Sequence, residues 1–182
     1  MLTLWKTLIQ SKLDYYFQLW SPNDQGSISK QESAARNFTS QITGCESQDY
    51  WEKLSSLKMY SQERRRERYE IIFIWKILQG FVEGYPLHTL QHDRRGRTVQ
   101  VSPYHPSAPA PVRKAREASL SVKGAKLFNT LPRGLRDITT GTVDSFKREL
   151  DGWLETIPDQ PTIPGRQRAA TTTSLIDQVH PK

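Results

Sequence analysis

A single cysteine, Cys45, stands in 182 residues, with only two methionines beside it. A lone cysteine excludes an internal disulfide and any zinc site built from several cysteines, and it fits a reducing compartment. Long apolar runs are also missing. The densest stretch, Ile71–Leu78, is interrupted by Lys76 and falls far short of the ~20 residues that cross a bilayer. The opening MLTLWKTLIQSKL has no apolar core followed by a small-residue cleavage site, so it does not read as a secretory signal. The expected location is intracellular, nucleus or cytoplasm, with no membrane partner. Apolar residues make up only 36% and mean hydropathy is -0.67, so part of the chain is expected to lie outside a packed core. Length alone suggests one domain with ragged ends.

Acids are nearly absent from one segment. Between Arg94 and Arg136 stand Arg94, Arg95, Arg97, Arg113, Lys114, Arg116, Lys123, Lys126, Arg133 and Arg136, and the only acid there is Glu117. Ten cations against one acid give this segment +9, which leaves −2 for the rest of a chain whose total is +7. Charge concentrated in this way points to a strip that faces a polyanion. RGRT (Arg95–Thr98) and KGAK (Lys123–Lys126) each contain one glycine and could offer backbone amides and cations to a phosphate backbone. Tyr104 and Phe128 could stack on bases, although Phe128 suits a core better.

Groups that would converge on a reaction are scarce. No two acids are adjacent; Asp144 with Glu149, and Glu63 with Glu67, fit solvated helix positions better than the clustered carboxylates that clamp two metal ions. His88 and His92 are four apart, but glycine and proline lie nearby and only Asp93 or the distant His105 could complete a site. Solvated loop histidines are the better reading. Cys45 lies beside Glu46 with no histidine partner signalled, and reads as inert. No catalytic residue, metal or cofactor is expected. PSAPAP, within the proline-rich Ser102–Pro111, offers a minor reading as a polyproline ligand.

What the chain does have is helical periodicity. Leu2, Trp5, Leu8, Ile9, Leu13, Tyr16, Leu19 and Trp20 recur at helical spacing and predict a first helix ending near Trp20, before Pro22. A second helix is expected over about Ser27–Ile42, burying Ile28, Ala34, Ala35, Phe38 and Ile42. Asp49 caps a short third helix through Leu57. Ser61–Gly80, SQERRRERYEIIFIWKILQG, has an N-cap serine, an acid in its first turn and a terminal glycine. Its back half is apolar nearly all round and must be buried by neighbours. Its front half carries Arg64, Arg65, Arg66 and Arg68, which Glu63, Glu67 and Glu70 can neutralise along the helix, so a solvated face is favoured over nucleic-acid contact. Beyond it, Arg97–Ser102 alternates like a strand and could pair with Ala118–Val122 across an extended, poorly ordered proline loop. Val122, Ala125, Leu127, Phe128 and Leu131 suggest a helix broken by Pro132. Thr142 or Asp144 starts a last amphipathic helix bearing Val143, Phe146, Leu150, Trp153 and Leu154. The stretch beyond Pro158 lacks periodicity and reads as disordered. The expected fold is mainly α, an irregular helical bundle with a small β-hairpin and a disordered C-terminal tail.

Several phrases occur in a telling order: SKLDYYFQLWSP (Ser11–Pro22), GCESQDYWEKLSSLKMYSQERRRERYEIIFIWKILQG (Gly44–Gly80), RRGR (Arg94–Arg97), LSVKGAKLFNTLPRGLR (Leu120–Arg136), VDSFKRELDGWLETIPDQP (Val143–Pro161) and SLIDQ (Ser174–Gln178). Together they resemble the C-terminal part of the reverse transcriptases of non-LTR retrotransposons. The resemblance implies a thumb-like helical region over 1–80, a basic post-thumb region with a proline-rich loop over 81–157, and a tail over 158–182. The palm motif of that family, an alanine followed by two aspartates, is absent here, as are the fingers, the endonuclease and the cysteine-histidine knuckle of some relatives. No residue here inherits a catalytic role. The resemblance therefore implies a truncated, non-catalytic remnant whose residual activity is backbone binding to RNA or DNA through the Arg94–Arg136 strip, assisted by Arg64–Arg68. Two alternatives stand beside it. One is a helical interaction module that self-associates through an exposed apolar face, such as Trp5, Tyr16 and Trp20; the other is a fragment of an active polymerase whose palm lies outside this chain.

Overall fold

Helices account for most of the chain, as its apolar spacing demands. The computed structural model describes residues 2–15, 17, 25–42, 48–83, 90–91, 95, 98–101, 107–139, 141–160 and 174–179. In chain order the elements are α1, with helical stretches Leu2–Leu4 and Ser11–Asp14 around a π-helical segment Trp5–Gln10; α2 (Gln25–Ser40); α3 (Tyr50–Ser56); α4 (Gln62–Leu78); β1 (Leu90–Gln91); β2 (Gln100–Val101); α5 (Ala110–Glu117); α6 (Leu120–Thr130); α7 (Arg133–Arg136); α8 (Val143–Leu154); and α9 (Leu175–Val179). Among the described residues no helix is long and apolar enough to cross a membrane.

The chain divides into two compact units, Met1–Arg66 with Asp159–Ser174, and Glu67–Pro158 with Leu175–Lys182. In the first unit, α1 is docked by Trp5, which is 2% exposed and stacks on Phe38 of α2 with ring centroids 4.5 Å apart. The π segment explains why the expected stripe fails. Its i→i+5 pattern lines up residues five apart, so the Trp5 Nε1–H reaches Gln10 Oε1 at 3.1 Å. An α-helix of 3.6 residues per turn would set those two on different faces. Leu8 and Ile9, expected in the core, are exposed instead. Ala34 of α2 is likewise exposed, while Ala35 is fully buried. Tyr15 is extended, so α1 stops at Asp14, short of the expected end; Tyr16, Leu19 and Trp20 lie outside the described residues. The α3 helix starts on a reciprocal capping box: Asp49 accepts from Glu52 N, and the Glu52 side chain accepts from Asp49 N.

α4 begins as its sequence predicts. Ser61 Oγ accepts from Arg64 N at 3.0 Å. Its far end closes in a Schellman motif, with Gly80 N donating to Ile77 O and Phe81 N to Lys76 O; Gly80 supplies the positive φ of 81° that the motif requires.

In the second unit Ile71, Ile74, Trp75 and Ile77 of α4 are buried with Leu127 and Phe128 of α6, Leu131, and Phe146, Leu150 and Leu154 of α8. Trp75 and Phe146 stack at 5.1 Å, an arrangement that adds about 0.5–1.5 kcal/mol beyond the area it buries. α8 starts at the Thr142 cap, whose hydroxyl accepts from Ser145 N. Two features differ from the expected hairpin. β2 pairs antiparallel with β1, with Leu90 opposite Val101, while Leu120 opens the helix α6. Pro111 lies in the first turn of α5, where a missing amide hydrogen costs nothing, so helix begins inside the proline-rich stretch. Asn129 of α6 then holds the segment before β2, accepting from Val99 N at 2.7 Å and donating to Val99 O at 3.0 Å. In the stretch after Pro158, Leu175–Val179 is helical and Leu175 is fully buried, which departs from a wholly disordered tail.

Candidate nucleic-acid interface

Burial and pairing sort the ten cations of the basic strip. Arg113 and Lys114 are exposed on α5, a helix with no buried residue. Lys126 on α6 and Arg133 on α7 are exposed too. α5 packs against α6, and α7 follows α6 directly across Pro132, so these four cations sit on adjacent short elements. The others are placed differently. Lys123 is half-buried and its Nζ donates to Glu70 Oε1 at 3.1 Å; that carboxylate is 5% exposed and its second oxygen makes no hydrogen bond. Arg136 is half-buried, with Nε shielded from solvent and without a hydrogen-bond partner. Arg116 is half-buried, and its carbonyl accepts the Ser119 hydroxyl. Arg95 is exposed, and its backbone forms an isolated bridge with Asp137. Arg94 and Arg97 lie outside the described residues.

One expectation about phosphate contact is corrected: Lys123–Lys126 is the middle of a helix, so its amides serve the helix and cannot cradle a phosphate. Phe128 is fully buried, which agrees with the core reading preferred for it over base stacking. Tyr104, Cys45, His88, His92, Asp93 and His105 fall outside the described residues. Among the described residues no group of three His, Cys, Asp or Glu side chains could hold a metal ion.

The arginine run of α4 is not a solvated face. Arg64 is fully buried and Arg66 is 7% exposed, with Arg66 Nε donating to Gln62 O. Arg65 reaches Asp14 through Nε and Nη2, at 2.9 and 2.5 Å; Arg68 grips Asp151 at 2.5 and 2.7 Å. Forked contacts of this kind fix geometry as well as charge. Arginines committed in this way are structural, and their assisting role at a polyanion is removed.

A second polar cluster, around the start of α4 in the first unit, had no signal in the sequence. Ser61 N and Oγ both donate to Asp159, at 2.6 and 2.8 Å, with Arg64 Nε 4.0 Å from the same carboxylate. Gln62 N donates to Glu32 Oε2 at 2.9 Å, and the Tyr50 hydroxyl donates to Glu32 Oε1. Two carboxylates thus meet the positive end of a helix. Burial raises the Glu32 and Asp159 pKa values even though these donors pull them down, and burial next to Glu32 raises that of Tyr50. The helix start already fills this cluster, so it is a joint and not an open site.

Comparison with protein-family models, with curated proteins and with solved structures finds no match.

Proposed function

We propose that the chain is a non-catalytic remnant of the C-terminal region of a retroelement reverse transcriptase, with a residual capacity to bind RNA or DNA backbones without sequence preference. The observation that carries the reading is the exposure of Arg113, Lys114, Lys126 and Arg133 on neighbouring elements, in a segment whose only acid is Glu117. The ordered phrases from Ser11 to Gln178 supply the family part of the proposal. These four cations, which lie on adjacent elements, set the strength of the effect. Neutralising about four phosphates gives a slope of log affinity against log salt of roughly −3 to −4. Fluorescence anisotropy with labelled duplex DNA and single-stranded RNA, repeated from low to high salt, measures that slope. Arg113→Glu with Lys114→Glu should weaken binding on every sequence alike and flatten the slope by about 2, with helix content unchanged. Absent binding at low salt, or a flat salt dependence, would overturn the reading.

A different surface favours a second reading, a helical interaction module. Leu4 and Leu8 of α1 are 61% and 59% exposed, and Ile9 is 44% exposed. The π turn selects these residues in place of Trp5, which is buried. Apolar side chains grouped in this way mark contact surfaces. Self-association that is indifferent to nucleic acid and lost on Leu4→Gln with Leu8→Gln would favour this module.

A further inference from the structure

Ser119, at the joint between α5 and α6, stands in a cap position but does not cap. Its backbone is extended, with φ −67° and ψ 149°, and its side chain accepts from no α6 amide. The hydroxyl turns the other way and donates to Arg116 O at 2.5 Å, with Ser121 Oγ 3.1 Å from it. Arg116 O also accepts the Ser119 N–H, so the carbonyl does not depend on the hydroxyl. Starting a helix is the usual reason for a serine here, and this serine does not serve it. Its charge setting is one-sided. Arg113, Lys114 and Arg116 precede it by six, five and three residues, and Lys123 and Lys126 follow it by four and seven. Glu117 is the only acid in that span. Among the described residues, three threonines also stand three residues after an arginine. Thr39 is fully buried and Thr139 donates its hydroxyl to Asp137 at 2.6 Å, while Thr98 is exposed and serves as the internal comparison.

We infer that Ser119 is a phosphorylation site for a serine kinase with an acidic substrate cleft, and that its phosphate closes the basic surface to RNA and DNA. Kinases choose substrates in good part by charge pattern, and an acidic cleft reads the cations at Arg113, Lys114 and Arg116. Ser119 is half-buried in the turn between the two helices, with its backbone already extended. In the transfer, Ser119 Oγ forms a bond to the γ-phosphorus of ATP as the bond to ADP breaks. ADP leaves with the electron pair of that bond, and the hydroxyl proton passes to the kinase's base. The product carries about −1.5 to −2 charges at neutral pH. Lys126 lies about 10 Å further along α6 by helix rise, roughly one Debye length at 0.1 M salt, and Arg116 and Lys123 are nearer in the chain. Against the exposed Arg113, Lys114, Lys126 and Arg133, the phosphate cancels about half of the positive charge. This closing of the surface rests on the nucleic-acid reading above, whereas the acceptor role of Ser119 does not.

The test treats the full chain with ATP, Mg²⁺ and a calmodulin-dependent protein kinase, an enzyme that selects an arginine three residues before its serine. Mass spectrometry should place the phosphate on Ser119. Ser119→Ala should abolish incorporation while leaving the circular dichroism unchanged, because the hydroxyl caps nothing, and Arg116→Ala should lose most of it. Anisotropy with duplex DNA over a range of salt then compares treated and untreated chains. The phosphorylated chain should bind about tenfold or more weakly near 0.1 M salt, with a salt slope shallower by about 2. Ser119→Glu, which needs no kinase, should move the slope the same way by about 1. An untreated chain that binds no nucleic acid overturns the proposed function and the closing of the surface, and the mass spectrum alone then decides the acceptor role. No incorporation, incorporation at Ser121 or Thr98 that persists in Ser119→Ala, or a phosphorylated chain that keeps the untreated slope overturns the inference.

Discussion

Gly124 on α6 faces Ile74 of α4 so closely that a single methyl group tests the packing of the second unit. A Cβ built at position 124 would lie 2.7 Å from Ile74 Cγ1 and 2.9 Å from Cδ1, with Leu120 Cδ1 at 3.4 Å. Ile74 is fully buried, so it can make room only by displacing its core neighbours or changing rotamer. Two effects of opposite sign compete in Gly124→Ala. Replacing a mid-helix glycine by alanine gains about 1 kcal/mol of helix propensity. Forcing a methyl into a filled core costs about 1–3 kcal/mol. The expected net is a loss of about 1 kcal/mol. Removing the obstacle reverses the sign: Ile74→Ala alone should cost about 2–5 kcal/mol, but adding Gly124→Ala to it should return about 1 kcal/mol. The coupling between the two positions is therefore about 1–3 kcal/mol, well outside additivity. Denaturant unfolding followed by far-UV circular dichroism, with Trp75 fluorescence as a local probe of the Trp75–Phe146 stack, measures all four corners of the cycle. A Gly124→Ala chain that gains stability in the unaltered background, or a cycle that closes additively, would refute the close approach of α4 and α6.

Lys58 ends α3 with a φ of 49°, a left-handed conformation that strains any residue with a Cβ. Lys58→Gly should therefore raise stability by about 1 kcal/mol in a denaturation midpoint, whereas Lys58→Val should lower it. Gln10 and Gln62 exchange amide hydrogen bonds at 3.1 and 3.2 Å, and Gln10 also accepts from Trp5 Nε1 and donates to Asp14. Gln10→Leu strands more partners than Gln62→Leu, so it should cost about 2–3 kcal/mol against about 1, and the double variant should be milder than the sum; equal single-variant costs would contradict the network. Glu32 and Asp159 have folded pKa values above their ordinary 4.5 and 3.8 because they are buried. The folded chain therefore binds protons more tightly than the unfolded one, and their contribution to stability should be fully present at low pH and fall as pH rises from those ordinary values through the folded ones. Glu32→Gln with Asp159→Asn should flatten that part of the stability profile between acid and neutral pH; an unchanged slope would show that neither carboxylate is desolvated.

Much of the helical frame was legible because helix signals are local. Ser61, Asp49 and Thr142 cap their helices through bonds spanning three residues, and Gly80 stops α4 by its own backbone freedom. The features that were not legible depend on partners far away or on geometry without a residue signature. The π turn in α1 is made of residues compatible with an α-helix, and it alone moves Leu8 and Ile9 out of the core. Ala118–Val122 is too short for periodicity to separate strand from helix, so the real partner of β2, the two-residue β1, was missed. Glu32 and Asp159 meet the start of α4 from positions 30 and 98 residues away in sequence, and no local pattern announces them.

The same reasoning decides which charges can act on a polyanion. In the sequence the arginines of α4 look most cationic, four of them within Arg64–Arg68, and the strip beyond Arg94 is diffuse. Counting nearby glutamates discounts the run for the wrong reason, since the forked contacts of Arg65 and Arg68 go to Asp14 and Asp151, 51 and 83 residues away. A buried, paired guanidinium has already exchanged water for a carboxylate, and moving it to a phosphate would leave that carboxylate buried and uncompensated. Nothing comparable restrains an exposed lysine or arginine on a short surface helix, which only has to shed counterions from the nucleic acid it meets. The effective charge of the interface is therefore set by exposure. None of the four arginines in the α4 run is exposed, whereas Arg113, Lys114, Lys126 and Arg133 all are, so reversing Arg113 and Lys114 must change the salt slope if this surface binds nucleic acid at all.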